Sequence, residues 1–183
     1  MSKKAQYILT YDTQVIFETV VDEKQGVCII EGGESRFMEG TLKQLTAYNE
    51  LYYATNLAIA KNLAKDVLGS VHAAPYIFLD MVWVPLEVYN RTVVIYVALH
   101  HIERISAMSA QETILELRDG TRIRLDVSKG SVYKRLFVAC ILKILMDGRK
   151  QQVFKAMTQI GKRREILKEE GSVYYIEKDD GTE

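Results

Sequence analysis

The sequence predicts a mixed α+β fold in which strands and helices occupy separate stretches of the chain. Apolar residues alternate in short runs before residue 40, which is typical of strands at the N-terminal end. Residues 76–127 are rich in β-branched and aromatic residues and are predicted to form antiparallel strands. A helical segment covers residues 41–68, and two helices follow at the C-terminal end.

The N-terminal stretch is predicted to form a β-hairpin over residues 7–17, with an Asp-Thr turn. A short buried strand is expected over residues 27–31, and the Gly-Gly pair after it forms a turn. Thr41 has the position of a helix N-cap, with Gln44 at the capping-box position. These signals fix the start of the first helix.

One long helix or two consecutive helices both fit the segment 41–68. Its apolar residues recur every three or four positions, as one helix face requires. Aromatic and β-branched residues between 49 and 55 weaken helix propensity, so a break is compatible with the sequence there. Gly69 is the expected C-cap.

The β-rich middle begins with two runs of strand-forming residues, at 76–84 and 92–105. Pro85 is expected to end the first run, because proline cannot donate to a strand ladder. His100 and His101 then lie in one strand and face opposite sides of the sheet, so they cannot bind one metal ion together.

An Asp-Gly pair at residues 119–120 lies between residues 113–117 and 121–127 and is typical of a tight hairpin turn. On the second strand of this hairpin, Arg122 and Arg124 alternate with apolar residues. Both arginines are therefore predicted to point away from the core, on one face.

Ser128 is predicted to cap a helix that continues to Met146 and is apolar on nearly all sides. Such a helix lies in the core or is covered by another subunit. An Asp-Gly pair is expected to end it, and a second helix covers residues 150–168. The candidate oligomer contacts are the apolar residues Val132, Leu136, Phe137, Ile141 and Leu145.

The chain of 183 residues is long enough for a single domain, with lobes at 1–70 and 71–170 as a further reading and an acidic tail at 171–183. Its two cysteines lie far apart in apolar runs, which is typical of a reducing compartment. No apolar run has the length of a membrane span. We therefore expect a soluble, cytoplasmic protein that does not bind membranes.

Charge is unevenly distributed although the net charge is zero. Residues 121–168 hold 13 basic and 3 acidic residues, a net charge of +10, whereas residues 169–183 have a net charge of −5. The basic stretch can attract a polyanion, although a solvated helix face fits the same charges. The candidate DNA contacts, chosen from charge alone, are Arg122, Arg124, Lys129, Lys134, Arg135, Arg149, Lys150, Lys162, Arg163 and Arg164.

Catalytic motifs are missing from the sequence: it has no phosphate-binding glycine loop, no paired-histidine zinc motif and no nucleophile elbow. The cysteines and histidines also lack the spacing of a zinc site. The sequence thus predicts a protein that is not an enzyme and that needs neither a metal nor a cofactor.

Five short motifs resemble a known family in their order and spacing. They are GSVHAAPYI at 69–77, VWVPL at 82–86, VALHHI at 97–102, LRDGT at 117–121 and LDVS at 125–128. With them the chain resembles the bacterial competence transcription factor family (ComK type). The resemblance implies an activator of competence genes that binds A/T-rich boxes through the minor groove as an oligomer of dimers. It also implies removal by adaptor-mediated proteolysis.

Two functional hypotheses remain open. The first is a DNA-binding activator of the competence type, which the basic stretch and the resemblance favour. The second is a regulatory module of the same fold that binds a protein partner, through the apolar helix at 132–146 and the acidic tail, and does not bind DNA. The zero net charge favours the second, since many DNA-binding domains are clearly basic.

Overall fold

Strands and helices occupy separate stretches of the chain, which confirms the predicted α+β class. The computed structural model describes residues 6–68, 73–88 and 93–169, with side chains for all of these except 67–68 and 159–169. Gly69 and the acidic tail at 171–183 therefore lie outside the described residues.

A six-stranded antiparallel sheet, in the order β3-β2-β1-β6-β5-β4, forms the centre of the fold. Its strands are β1 (Thr13–Val21), β2 (Lys24–Glu31), β3 (Glu34–Glu39), β4 (Tyr76–Phe78), β5 (Met81–Val88) and β6 (Val93–Ala98). Ile16 of β1 lies between Ile29 of β2 and Tyr96 of β6. Because paired residues share a face, the three side chains lie on the same side of the sheet.

The first hairpin lies later in the chain than predicted. β1 and β2 pair around Asp22 and Glu23, which both have a positive φ. The hairpin predicted over residues 7–17 was therefore wrong, because residues 6–10 are not in a strand.

The buried side chain of Asn49 explains why this N-terminal stretch is not a strand. Its Oδ1 accepts a hydrogen bond from the Leu9 amide at 2.8 Å, and its Nδ2 donates to the Tyr7 carbonyl at 3.0 Å. These backbone groups are thus satisfied by a helix side chain and need no strand partner.

Two helices, α1 (Leu42–Tyr52) and α2 (Leu57–Leu68), fill the predicted helical segment, so the reading with a break is confirmed. The capping box is also confirmed. Thr41 Oγ1 accepts from the Gln44 amide at 3.2 Å, and Gln44 Oε1 accepts from the Thr41 amide at 3.0 Å.

The helices cover one face of the large sheet. A buried cluster on this face contains Ile16, Ile29, Phe78 and Trp83 of the sheet together with Leu45 of α1. Burying each large apolar side chain contributes about 1.5–3 kcal/mol, so this cluster is a main source of stability.

A second, three-stranded sheet covers the other face of the large sheet. Its strands are β7 (Ile102–Ala107), β8 (Thr113–Leu117) and β9 (Arg122–Leu125), in the order β7-β8-β9. Leu115, Leu117 and Leu125 on its inner side are completely buried, and β9 contacts β5 of the large sheet. Gly120 has a φ of +87°, which confirms the predicted Asp-Gly hairpin turn.

Pro85 lies inside β5, so the prediction that it ends a strand was wrong. It pairs with Tyr96 of β6, while its carbonyl accepts a hydrogen bond from Arg135 Nη1 at 3.1 Å. The nitrogen and the carbonyl of one residue point to the same side of a strand. The nitrogen of Pro85, which carries no hydrogen, therefore points to the side of β5 on which β4 lies. β4 pairs with β5 only as far as Trp83, so no ladder hydrogen bond is lost at Pro85.

The strand predicted over residues 92–105 is interrupted by a 3-10 turn, Leu99–His101, between β6 and β7. His100 Nε2 and His101 Nε2 lie 2.6 and 2.8 Å from the same oxygen, the carbonyl of Tyr11. The prediction that they face opposite sides of a strand was therefore wrong. The His100 ring also stacks on the Tyr11 ring, with centroids 3.8 Å apart.

One helix, α3 (Lys129–Glu169), takes the place of the two predicted C-terminal helices. Ser128 caps it as predicted, since its Oγ accepts from the Ser131 amide at 3.2 Å. The Asp-Gly pair does not end the helix, because an interior glycine costs only about 1 kcal/mol relative to alanine. The chain divides within this helix into two compact units, Met1–Ile144 and Leu145–Glu183. The single domain stays a prediction.

The environment of His100 makes folding stability depend on pH. Burial disfavours the charged imidazolium and holds the pKa of His100 below its usual value of 6.5. The unfolded chain therefore binds more protons as the pH falls through that value, and the folded state loses stability there. We expect the free energy of unfolding to decrease from about pH 7 to about pH 5, and to decrease less in His100→Asn, which cannot titrate.

Urea denaturation at several pH values measures this effect. His101→Asn is the matched control, because it removes a neighbouring imidazole but retains His100, and its pH dependence should persist. Equal pH dependence in the wild type and His100→Asn would contradict the assignment to His100.

Candidate nucleic-acid interface

The outward side of the three-stranded sheet carries arginines and glutamates in alternate strands. Arg104 of β7 is in register with Glu116 of β8, which is in register with Arg122 of β9. Arg124 lies opposite Ile114, one step along the same face. We call the surface formed by Arg104, Arg122 and Arg124 the arginine face.

Glu116 of β8, and Glu112 directly before β8, form ion pairs with the two arginines of β9. Arg122 Nη2 lies 3.3 Å from Glu116 Oε1, and Arg124 forms an ion pair with Glu112. The arginine side chains are 69% and 61% exposed, whereas both glutamates are 28% exposed. The carboxylates therefore lie beneath the guanidinium groups. Such exposed pairs add little stability, so their main effect is on where the arginines point.

Arg104 was missed by the sequence analysis, because it lies in a stretch without excess positive charge. It is exposed and has no ion-pair partner among the described residues. Its place beside Glu116 follows only from the strand register, which the sequence does not reveal. Together with Glu112 and Glu116, the arginine face has a net charge of about +1, since three arginines meet two glutamates.

Arg135, a predicted DNA contact, is directed inward. Its Nη2 lies 2.6 Å from Glu87 Oε1 and its Nη1 donates to the Pro85 carbonyl, so it joins α3 to β5. The side chain is only 30% exposed. Its donors are thus engaged within the protein, and we assign it a structural role.

The remaining predicted cations lie along α3. Lys129 Nζ lies 5.7 Å from the centre of the Tyr133 ring, and Lys134 is exposed. In the second unit, Arg149 is exposed and Lys150 lies 3.8 Å from Asp147. The side chains of Lys162, Arg163 and Arg164 are outside the described part of this helix. Each of these positions stays a predicted DNA contact.

The predicted oligomer contacts divide by burial. Val132 is completely buried within its own chain, so it cannot contact another subunit. Leu136 and Ile141 are half-buried, while Phe137 is 66% exposed and Leu145 lies in the second unit.

Four exposed residues of α3 within the first unit form one stripe. They are Tyr133, Phe137, Cys140 and Ile144, spaced by four, three and four positions. This spacing places them along one side of the helix, as in the seam of a coiled coil. We call them the exposed stripe.

The described residues hold no group of three His, Cys, Asp or Glu side chains that could bind a metal ion. In the same part of the chain, no helix has the length and apolar character needed to cross a membrane.

The family model described as ComK protein matches residues 4–151, which is 148 of the 183 residues. The chain belongs to the ComK family. This confirms the predicted resemblance and places the protein in a family of competence transcription factors. The ComK match contains the arginine face and the exposed stripe but ends before Lys162, Arg163 and Arg164. No curated protein and no solved structure matches the chain.

Proposed function

We propose that this ComK-family protein binds A/T-rich promoter DNA in the cytoplasm and activates competence genes. The arginine face carries the proposal, because it presents three arginines on one exposed surface within the family-matched part of the chain. Arginine suits such a surface, since its planar fork meets phosphates and enters the narrow minor groove of A/T-rich DNA.

The zero net charge does not oppose this proposal. DNA responds to the charges within about 10 Å of it at moderate salt, and more distant charges are largely screened. The acidic excess lies elsewhere in the chain, mainly before residue 90 and after residue 168. A local surface can therefore bind DNA although the whole chain is neutral.

A single arginine face has too few cations for tight binding, which supports the proposed oligomer. Three phosphate contacts give only a weak, salt-sensitive attachment, whereas two linked faces bind cooperatively through their effective concentration. The exposed stripe is the proposed dimer contact, because Phe137 and Ile144 are 66% and 68% exposed and would be buried there.

A second function remains supported by the same stripe. An apolar helix surface also suits a regulatory module that binds another protein and not DNA. Removal through a proteolytic adaptor, which the family resemblance implies, would likewise need a protein-binding surface. We keep both protein contacts as secondary proposals.

The first prediction concerns DNA choice. Fluorescence anisotropy with labelled A/T-rich and G/C-rich duplexes of equal length, each at two salt concentrations, measures it. We expect tighter binding to the A/T-rich duplex, and weaker binding to both at higher salt, because phosphate contacts release counterions. Absent binding, or binding that salt does not change, would leave the protein-binding module as the function.

The second prediction concerns the dimer. Two exposed stripes packed about a twofold axis bring the two copies of the exposed Cys140 thiol close together, so a short bismaleimide should crosslink the wild type. Cys140→Ser should not crosslink. Phe137→Glu should shift the dimer to monomer in light scattering with little loss of stability, since the side chain is exposed.

Lys134→Gln is the matched control for the dimer, because it changes the charge of α3 by the same −1 outside the exposed stripe. It should remain dimeric. A wild type that is monomeric at micromolar concentration and does not crosslink would rule out this contact.

A further inference from the structure

β9 is the open edge of the three-stranded sheet. The Leu117 amide donates to the Thr121 carbonyl at 2.8 Å, which fixes the alternation of the ladder. Alternate residues of a strand direct their backbone groups to the same side. Ile123 and Leu125, like Thr121, therefore direct their N–H and C=O groups to β8. The backbone groups of Arg122 and Arg124 then point away from β8, and no described residue forms a hydrogen bond with them.

A groove of about 640 Å³ lies beside this edge, between β9 and the large sheet. Most of its lining is apolar and comes from the large sheet: Val15, Phe17, Ile30, Val88, Val93 and Ile95. Ile123 adds an apolar contact from β9, and the charged residues of the lining are Arg122 and Arg124 of β9 together with Glu18 and Asp126. The groove and the unpaired edge belong to the same unit of the chain.

An unpaired strand edge beside an apolar groove suits an extended peptide, whose backbone completes the ladder while alternate side chains enter the groove. A second copy of β9 fits poorly. Antiparallel pairing about Ile123 would place Arg122 of one copy opposite Arg124 of the other, and like charges opposite each other are destabilising. Arg122 and Arg124 therefore favour a strand that carries acidic side chains at the two positions in register with them.

We propose that β9 accepts an extended acidic segment of a partner protein as a fourth strand. The residue in register with Ile123 is apolar and lies over the groove. Its two neighbours are Asp or Glu, in register with Arg122 and Arg124. Each guanidinium has five N–H donors, so the contacts with Glu116 and Glu112 leave donors for a second carboxylate. This inference does not rest on DNA binding.

The test uses the full chain, without DNA, and a short labelled peptide of alternating glutamate and valine. Anisotropy should show saturable binding, and a lysine–valine peptide of the same length should bind at least about tenfold more weakly. Methylation of alternate peptide nitrogens removes the ladder donors but keeps the charge and side chains. It should weaken binding about tenfold when the methylated positions are those that face β9.

Amide chemical shifts and hydrogen exchange locate the peptide. The N–H groups of Arg122 and Arg124 should become protected, because they gain ladder hydrogen bonds. Arg122→Gln with Arg124→Gln should lower affinity, whereas Arg36→Gln, an exposed arginine of β3, should not. Any of three results would overturn the proposal: no binding of the glutamate–valine peptide, no effect of N-methylation in either register, or no protection of the two amides. The N-methylation arm needs no protein variant.

Discussion

Burial of the large sheet on both faces is the constraint on which the rest of the structure depends. Trp83 and Ala98 face the helices, and their neighbours Val84 and Val97 face the other way, yet all four are completely buried. A sheet of this kind needs a cover on each side, because every exposed apolar side chain would forfeit about 1.5–3 kcal/mol. The three-stranded sheet is the second cover.

The need for this cover also creates the proposed binding surface. Side chains alternate along a strand, so a small sheet whose inner side is fixed by Leu115 and Leu125 must direct the intervening residues outward. Arg122 and Arg124 occupy those outward positions. The position of β9 at the end of its sheet leaves its backbone open beside the groove. DNA and an acidic strand would use the same two arginines, and their binding would be mutually exclusive.

Local signals in the sequence were sufficient for some of these features. The Thr41 capping box and the Asp-Gly turn depend on residues within three or four positions, so they could be predicted. The outward direction of Arg122 and Arg124 follows from alternation alone. Family membership also followed from short motifs. Most of the arginine face could therefore be predicted from the sequence alone.

Features that depend on distant partners could not be predicted. The carbonyl of Tyr11, which lies next to His100, is 89 positions away in the sequence. The amide of Leu9, which donates to Asn49, is 40 positions away. Pro85 is tolerated because of where β4 ends, and Arg104 joins the site only through the register of β7 with β8. In each case the deciding neighbour lies on another element, which local patterns do not encode.

The salt dependence of DNA binding tests the arginine face most directly. Each lost phosphate contact reduces the slope of log K against log salt by about 0.9. If the face binds DNA, replacing Arg104, Arg122 and Arg124 with Gln should make the slope shallower by about two to three per subunit while the protein stays folded. Replacing Lys24, Arg36 and Lys43 with Gln removes the same charge elsewhere and should leave the slope unchanged. Equal slopes for the wild type and the arginine-face variant would contradict DNA binding by this surface.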